Sequence, residues 1–337
     1  MNISILGDGA WGTALALLAL QKQHNVTLWG AFPEYIEDMR KTGVNSQFLP
    51  GITLPDELCL EADMATVLAA PDIIIGAIPV QHLRGILEQA AAKKLPAKTK
   101  AIYVNVGKGI ELRSKLRPGQ LVAEHLGKRV FYTTLSGPSH AEEVARRVPT
   151  AVVVAGCEPE PAEIVQNTLM NENFRIYTSR DVTGVELGGA LKNVYALAAG
   201  ICDGLELGDN SKAALITRAI AEMGRLGKAL GGNPETFAGL SGIGDLIVTC
   251  NSRHSRNRHV GEALGRGQSL ENIQAEMGKV VAEGVKTTNG AYELARDNQV
   301  SAPIIDEVFA VLYNAKSPRA AVEDLMQREP KPEHPVP

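Results

Sequence analysis

The chain has 337 residues, a formal net charge of -4 and 21% charged residues. Its length exceeds one ordinary hydrophobic core and predicts about two domains, and its mildly acidic balance gives no global field for nucleic acid or an anionic membrane, so any anion site must be local. The four cysteines, Cys59, Cys157, Cys202 and Cys250, are far apart with no C-x-x-C or metal-ligand spacing, which gives no support to a disulfide framework or a zinc site and fits a reducing cytoplasm.

The opening MNISILGDG has no basic leader and runs straight into a strand and glycine turn, against a secretory signal. No run reaches the ~18 apolar residues of a membrane span. Short Ile- and Val-rich runs predict buried parallel strands at Asn2–Leu6, Val26–Trp29, Asp72–Ile78, Ala101–Val106, Val130–Leu135, Ala151–Ala155 and Phe174–Tyr177. Helical patterns lie between them at Trp11–Gln23, Pro33–Lys41, Val80–Ala92 and Ser139–Arg147. This alternation predicts an α/β doubly wound, Rossmann-like sheet. After Ser179 the β-branched runs give way to Ala/Leu/Gly-rich helical stretches at Val182–Gly204, Ser211–Leu230, Leu270–Gly278, Thr287–Asp297 and Ile304–Tyr313. The expected organisation is a dinucleotide-binding domain over 1–179, an all-helical substrate and catalytic domain over 180–328, and a disordered proline-rich tail over 329–337.

In the first half, GDGAWG at residues 7–12 follows a predicted strand and opens a predicted helix, the context that lifts G-x-G-x-x-G above chance. Gly7 permits the tight turn, Gly9 admits a pyrophosphate to the backbone, and Gly12 allows close helix–strand packing. The second strand should end in a residue that reads the adenosine ribose, an acid for NAD or an arginine for NADP. It ends LWGAFPE with neither at that place, so the choice between NAD and NADP is poorly encoded, and without a nearby arginine NAD is slightly favoured. Lys108, in VNVGKGI, sits in a glycine turn at a strand end, where ligands bind in doubly wound sheets. A surface loop lysine is the competing explanation. Gly137 and Ser139, in SGPSH, follow another strand and could line the same site.

In the second half, Lys192 stands in VELGGALKNVYALAAG, where Glu186 is the only other charged residue. Small residues imply close helix packing, which would desolvate the lysine and lower its pKa towards the range useful for proton transfer. A lysine snorkelling to solvent is the plainer alternative. Asp245, in GLSGIGDLIVTC, could hold that amine, or could simply cap a helix beginning at Leu246. The run SRHSRNRH, residues 252–259, is too short and too poor in aromatics for nucleic acid, and reads as a solvated loop or as a phosphate site formed by Ser255, Arg256 and Asn257 at a helix N-terminus.

Taken in order, GDGAWGTALA, FLPGITLP, NVGKGIE, LSGPSHAEEVA, ELGGALKNVYALAAGI, GLSGIGDLIVTC, SRNRHVGEAL and VAEGVKT resemble the bacterial NAD(P)-dependent glycerol-3-phosphate dehydrogenases over nearly the whole chain up to about Tyr313. The resemblance implies a cleft between the two domains and reversible reduction of dihydroxyacetone phosphate to sn-glycerol 3-phosphate for phospholipid synthesis. It implies Lys192 as proton acceptor, and substrate contacts at Lys108, Gly137, Ser139, Lys192, Asp245, Ser255, Arg256 and Asn257. It implies dinucleotide contacts at Ala10, Trp11, Lys108, Ala141, Arg256, Val281 and Glu283, beside the fingerprint glycines Gly7, Gly9 and Gly12. No metal is required, and a cytoplasmic homodimer is the family's usual form. Family members often carry an arginine after the Trp-Gly ending the second strand, where this chain has Ala31, which weakens the case for strong NADP preference. The alternatives are a β-hydroxyacid or 6-phosphogluconate-type dehydrogenase, and a dinucleotide-sensing protein without catalysis.

Overall fold

The computed structural model describes residues 1–93, 100–277 and 282–333. Eight strands form one sheet: β1 (Asn2–Leu6), β2 (Asn25–Trp29), β3 (Cys59–Glu61), β4 (Ile73–Gly76), β5 (Ala101–Asn105), β6 (Val130–Ser136), β7 (Thr150–Gly156) and β8 (Phe174–Ser179). Their order is β3-β2-β1-β4-β5-β6-β7-β8. The first six follow the Rossmann order, with the chain reversing direction across the sheet between β1 and β4, where ligands bind at strand carboxyl ends.

Unbroken apolar strands arise because both faces are covered. Ile73, Ile75, Ile102 and Val104 point into one buried cluster that also takes up Leu15 and Leu18 of the helix Ala10–Gln21. Their neighbours Ile74, Ala101 and Tyr103 point into a second cluster with Leu83 and Leu87 of the helix Val80–Ala92.

Two features depart from the expected sheet. The three-residue strand β3, which pairs in parallel with β2, has too short an apolar run to be read from sequence. Strand β7 pairs antiparallel to β6, with Ser136 opposite Val153, correcting the all-parallel expectation. The helical pattern between them resembled a crossover, yet only Ala141–Ala145 is helical. The connection Gly137–Pro149 contains only that five-residue helix, and the chain returns antiparallel beside β6.

From Val182 onward the described residues form no strand. The helix Val182–Gly204 is the axis of this half and is buried along nearly all its length. Its closest neighbour is the helix Arg256–Gly265: a side chain at Gly200 would strike the Arg258 carbonyl, and one at Gly261 the Leu197 carbonyl. Small residues on both helices therefore set their separation.

Glu186 fixes this helix to the sheet half. Its carboxylate accepts from the Gly119 backbone N–H at 2.7 Å and the Tyr132 hydroxyl at 2.5 Å, and pairs closely with Arg117. Burial pushes its carboxyl pKa up against the pull of Arg117. Glu186→Ala is expected to lower unfolding free energy by about 3 kcal/mol, because it strands a partly buried guanidinium and two donors at once. Denaturant unfolding measures this, and a loss under about 1 kcal/mol would contradict the anchoring role.

Candidate active site

The site begins at the turn after β1. Gly7 has φ +117°, a conformation open to glycine, and its N–H donates to the Trp29 carbonyl at 2.9 Å. A side chain at Gly12 would collide with the Gly7 carbonyl, so the helix Ala10–Gln21 can pack this close only through glycine. Gly9 caps that helix without any side-chain hydrogen bond, and a Cβ there would meet nothing within 4 Å. The open first turn thus presents backbone N–H groups to solvent at the sheet's switch point, which fits a dinucleotide pyrophosphate. Ala10 and Trp11 are partly buried against the core cluster that contains Ala141, so only part of each faces this turn.

At the end of β5, the Asn105 amide clasps the next turn, donating to the Gly107 carbonyl at 2.9 Å and accepting from the Gly107 N–H at 3.3 Å. This holds Lys108 in place. The Lys108 ammonium donates to the Gly137 carbonyl at 3.0 Å and to Asp245 Oδ2 at 2.5 Å. The Ser139 hydroxyl donates to the same Gly137 carbonyl at 2.9 Å. Gly137 has φ +137°.

From the helical half, Lys192 Nζ makes a very short hydrogen bond to Asp245 Oδ1 and donates to Thr249 Oγ1 at 2.8 Å. The Thr249 hydroxyl spends its own proton on the Asp245 backbone carbonyl at 2.6 Å, leaving a lone pair for Lys192. Asp245 is therefore the first residue of the helix Asp245–Asn251, and its carboxylate is bound between two ammonium groups instead of capping that helix. Burial opposes its charge, but Lys108 and then Lys192 outweigh burial and hold its pKa below the usual carboxylate value. Lys192 is 7% exposed. Burial, with Lys108 adding to it, pushes its pKa down to about 8 against the opposing pull of Asp245.

The segment after Asn251 contributes unevenly. Ser255 caps the helix Arg256–Gly265, accepting from the Arg258 N–H at 3.2 Å. Asn257 is buried and committed: it donates to Asn193 Oδ1 and accepts from the Gly284 N–H, both at 2.9 Å, which ties three helices together. Arg256 is exposed and forms no ion pair among the described residues. Its charge reaches Glu283, where burial raises the carboxyl pKa and Arg256, Lys192 and Lys108 oppose the rise in that order. Glu283 and Lys108 line one open cleft with Val80, Gly109 and Thr287. Val281 lies outside the described residues.

Sequence reasoning missed Thr249, Asn105 and Thr287. Thr249 stands four residues after Asp245 on one helix, a spacing that could have revealed it. Asn105 is a polar residue closing an apolar strand. Thr287 leaves its buried hydroxyl without a partner among the described residues, on the cleft wall, a feature visible only in three dimensions.

A Rossmann-ordered sheet with an open helix N-terminus at its switch point, facing a buried lysine–aspartate–lysine cluster, defines a nicotinamide-dinucleotide-dependent oxidoreductase. The family model described as NAD-dependent glycerol-3-phosphate dehydrogenase N-terminus matches residues 2–162, and its C-terminus counterpart matches residues 181–323. A Bacillus pumilus glycerol-3-phosphate dehydrogenase [NAD(P)+] is 49% identical over 332 residues, 97% of this chain and 94% of the relative. The Geobacillus kaustophilus protein of the same name is 48% identical, over 98% and 96%. The crystal structure of glycerol-3-phosphate dehydrogenase from Coxiella burnetii superposes with a TM-score of 0.92 at 36% identity, covering 97% of this chain and 99% of that one. The chain belongs to the NAD-dependent glycerol-3-phosphate dehydrogenase family and is an NAD(P)-dependent oxidoreductase. Matches to both halves displace the hydroxy acid dehydrogenase and sensor alternatives.

Proposed function

We propose that the chain catalyses the reversible NAD(P)H-dependent reduction of dihydroxyacetone phosphate to sn-glycerol 3-phosphate, with Lys192 as general acid and base. The observation that carries this reading is the buried Lys192–Asp245–Lys108 cluster next to the dinucleotide cradle. When bound, the nicotinamide supplies or accepts the hydride at the carbinol carbon. In alcohol oxidation, neutral Lys192 takes the hydroxyl proton; in reduction, its ammonium returns that proton to the developing alkoxide. With a pKa near 8, Lys192 holds a usable population of each form near neutral pH. Asp245 orients both amines, and Lys108 polarises the same oxygen.

Arg256, exposed and without an ion-pair partner among the described residues, supplies a guanidinium for the substrate phosphate. Ser255 and the remaining amide proton of Asn257 stand at the same helix N-terminus. Gly137 and Ser139 shape the substrate side next to Lys108. Gly7, Gly9, Ala10, Trp11, Gly12, Ala141 and Glu283 line the dinucleotide side in this reading. It also includes a cytoplasmic homodimer that supplies glycerol 3-phosphate for glycerophospholipid synthesis, and the support for that part is family membership.

The test is NADH and NADPH oxidation by the purified protein with dihydroxyacetone phosphate, beside unphosphorylated dihydroxyacetone and, in the oxidative direction, a hydroxy acid. Turnover confined to the phosphorylated ketone is expected. Equal turnover of both ketones would remove the phosphate clamp. Arg256→Ala should raise the substrate KM by about 10- to 100-fold, the worth of a charge-assisted contact, and should weaken dinucleotide binding as well. Steady-state kinetics with unchanged KM would reject the clamp.

A further inference from the structure

The dinucleotide cradle contains one acid with no role so far. Asp8 is the middle residue of the G-x-G turn, and its Oδ2 is buried with no hydrogen-bond partner among the described residues. The turn lies against the end of β2, since the Gly7 N–H binds the Trp29 carbonyl. The residue that follows this strand, Gly30, has no side chain, and a Cβ there would collide with Asp8 Oδ2. The Asp8 carboxylate thus occupies the space that a side chain at the end of β2 would fill. In this fold, that is where the adenosine ribose is read.

The backbone holding Asp8 is fixed from below. The buried Asn45 amide donates to the Asp8 carbonyl at 2.7 Å and to Thr13 Oγ1 at 2.8 Å. Among the described residues, the two basic side chains of the helix that follows β2 are already paired. The strand is followed by Gly30, Ala31 and an exposed Phe32. Arg40 and Lys41 lie in the last turn of the following helix, both paired with Glu37, and Arg40 also donates to the Leu60 carbonyl at 2.7 Å.

We propose that Asp8 reads the adenosine ribose, its carboxylate accepting the 2′-hydroxyl proton and repelling a 2′-phosphate, so that this chain prefers NAD(H) to NADP(H). An ionised acceptor makes the stronger kind of hydrogen bond to a hydroxyl, and the same charge facing a phosphate in a half-buried site has no counter-charge to offset it. The assignment rests on the dinucleotide reading above and deepens it.

The test is equilibrium binding, followed by nicotinamide fluorescence, of NADH, NADPH and the 2′-deoxyadenosine analogue of NADH. The wild-type chain should bind NADH about tenfold or more tighter than either of the other two. Asp8→Ala should weaken NADH, abolish the penalty for the 2′-deoxy analogue and narrow the gap to NADPH. Asp8→Asn, which keeps an acceptor but not the charge, should improve NADPH binding most. Should both variants fail to fold, the analogue on the wild-type chain still decides, because it removes the hydroxyl and leaves the protein untouched. Equal affinity of wild-type chain for NADH and its 2′-deoxy analogue, or an unchanged NADH-to-NADPH ratio in Asp8→Ala, overturns the assignment alone. Binding of no dinucleotide at all overturns it together with the reading of the cradle.

Discussion

Replacing Lys192 with methionine is expected to lower kcat by about 10²- to 10⁴-fold in both directions, the usual worth of a positioned general acid and base. Methionine keeps the apolar stem that packs in the helix Val182–Gly204 and removes only the titrating amine. Asp245 retains Lys108 at 2.5 Å, so its carboxylate keeps a counter-charge and the fold survives. NADH binding and the unfolding midpoint should therefore stay close to those of the unaltered chain. Loss of activity accompanied by loss of NADH binding would point to a structural role for Lys192, and near-normal kcat would end the proton-transfer assignment.

Asp245→Asn is expected to cost at least about 10²-fold in kcat for reduction, with a smaller loss for oxidation. The asymmetry follows from charge. Asp245 opposes the downward push of burial on Lys192, so removing its charge drives the lysine further towards the neutral amine. Oxidation needs that neutral form and reduction needs the ammonium. The oxidative pH profile of the variant should accordingly shift to lower pH, while its reductive rate falls throughout the neutral range. Equal losses in both directions with unmoved profiles would show that Asp245 orients the amines without setting their protonation.

Local features of both fold and site were legible in sequence. The first strand, its glycine turn and the helix that follows are contiguous, so one stretch of residues carries both the turn geometry and the open helix N-terminus. The small-residue helix around Lys192 likewise announces close packing, because each neighbour that must approach leaves a glycine or alanine behind. What depends on distance along the chain was not legible. The antiparallel direction of β7 shows only in its pairing with β6, Ser136 lying opposite Val153. The contact between Lys192 and Asp245 joins residues 53 apart, and that between Lys108 and Asp245 residues 137 apart. Within SRNRH the residue types look equivalent, yet burial commits Asn257 to its helix neighbours and leaves Arg256 exposed. Asp8 was overlooked because the middle of a G-x-G turn is nominally any residue. Only the bare Gly30 beside it gives that carboxylate its location.

The most direct test of the central claim, that Lys192 exchanges the proton, is the pH dependence of glycerol 3-phosphate oxidation under single-turnover conditions. The rate should rise as pH increases through the Lys192 pKa, about 8 in the free chain, because only the neutral amine can accept the hydroxyl proton. Lys192→Met should lose that rise together with most of the rate. A wild-type rate that is flat from pH 7 to pH 9, or a variant that keeps the same rise, would contradict the account.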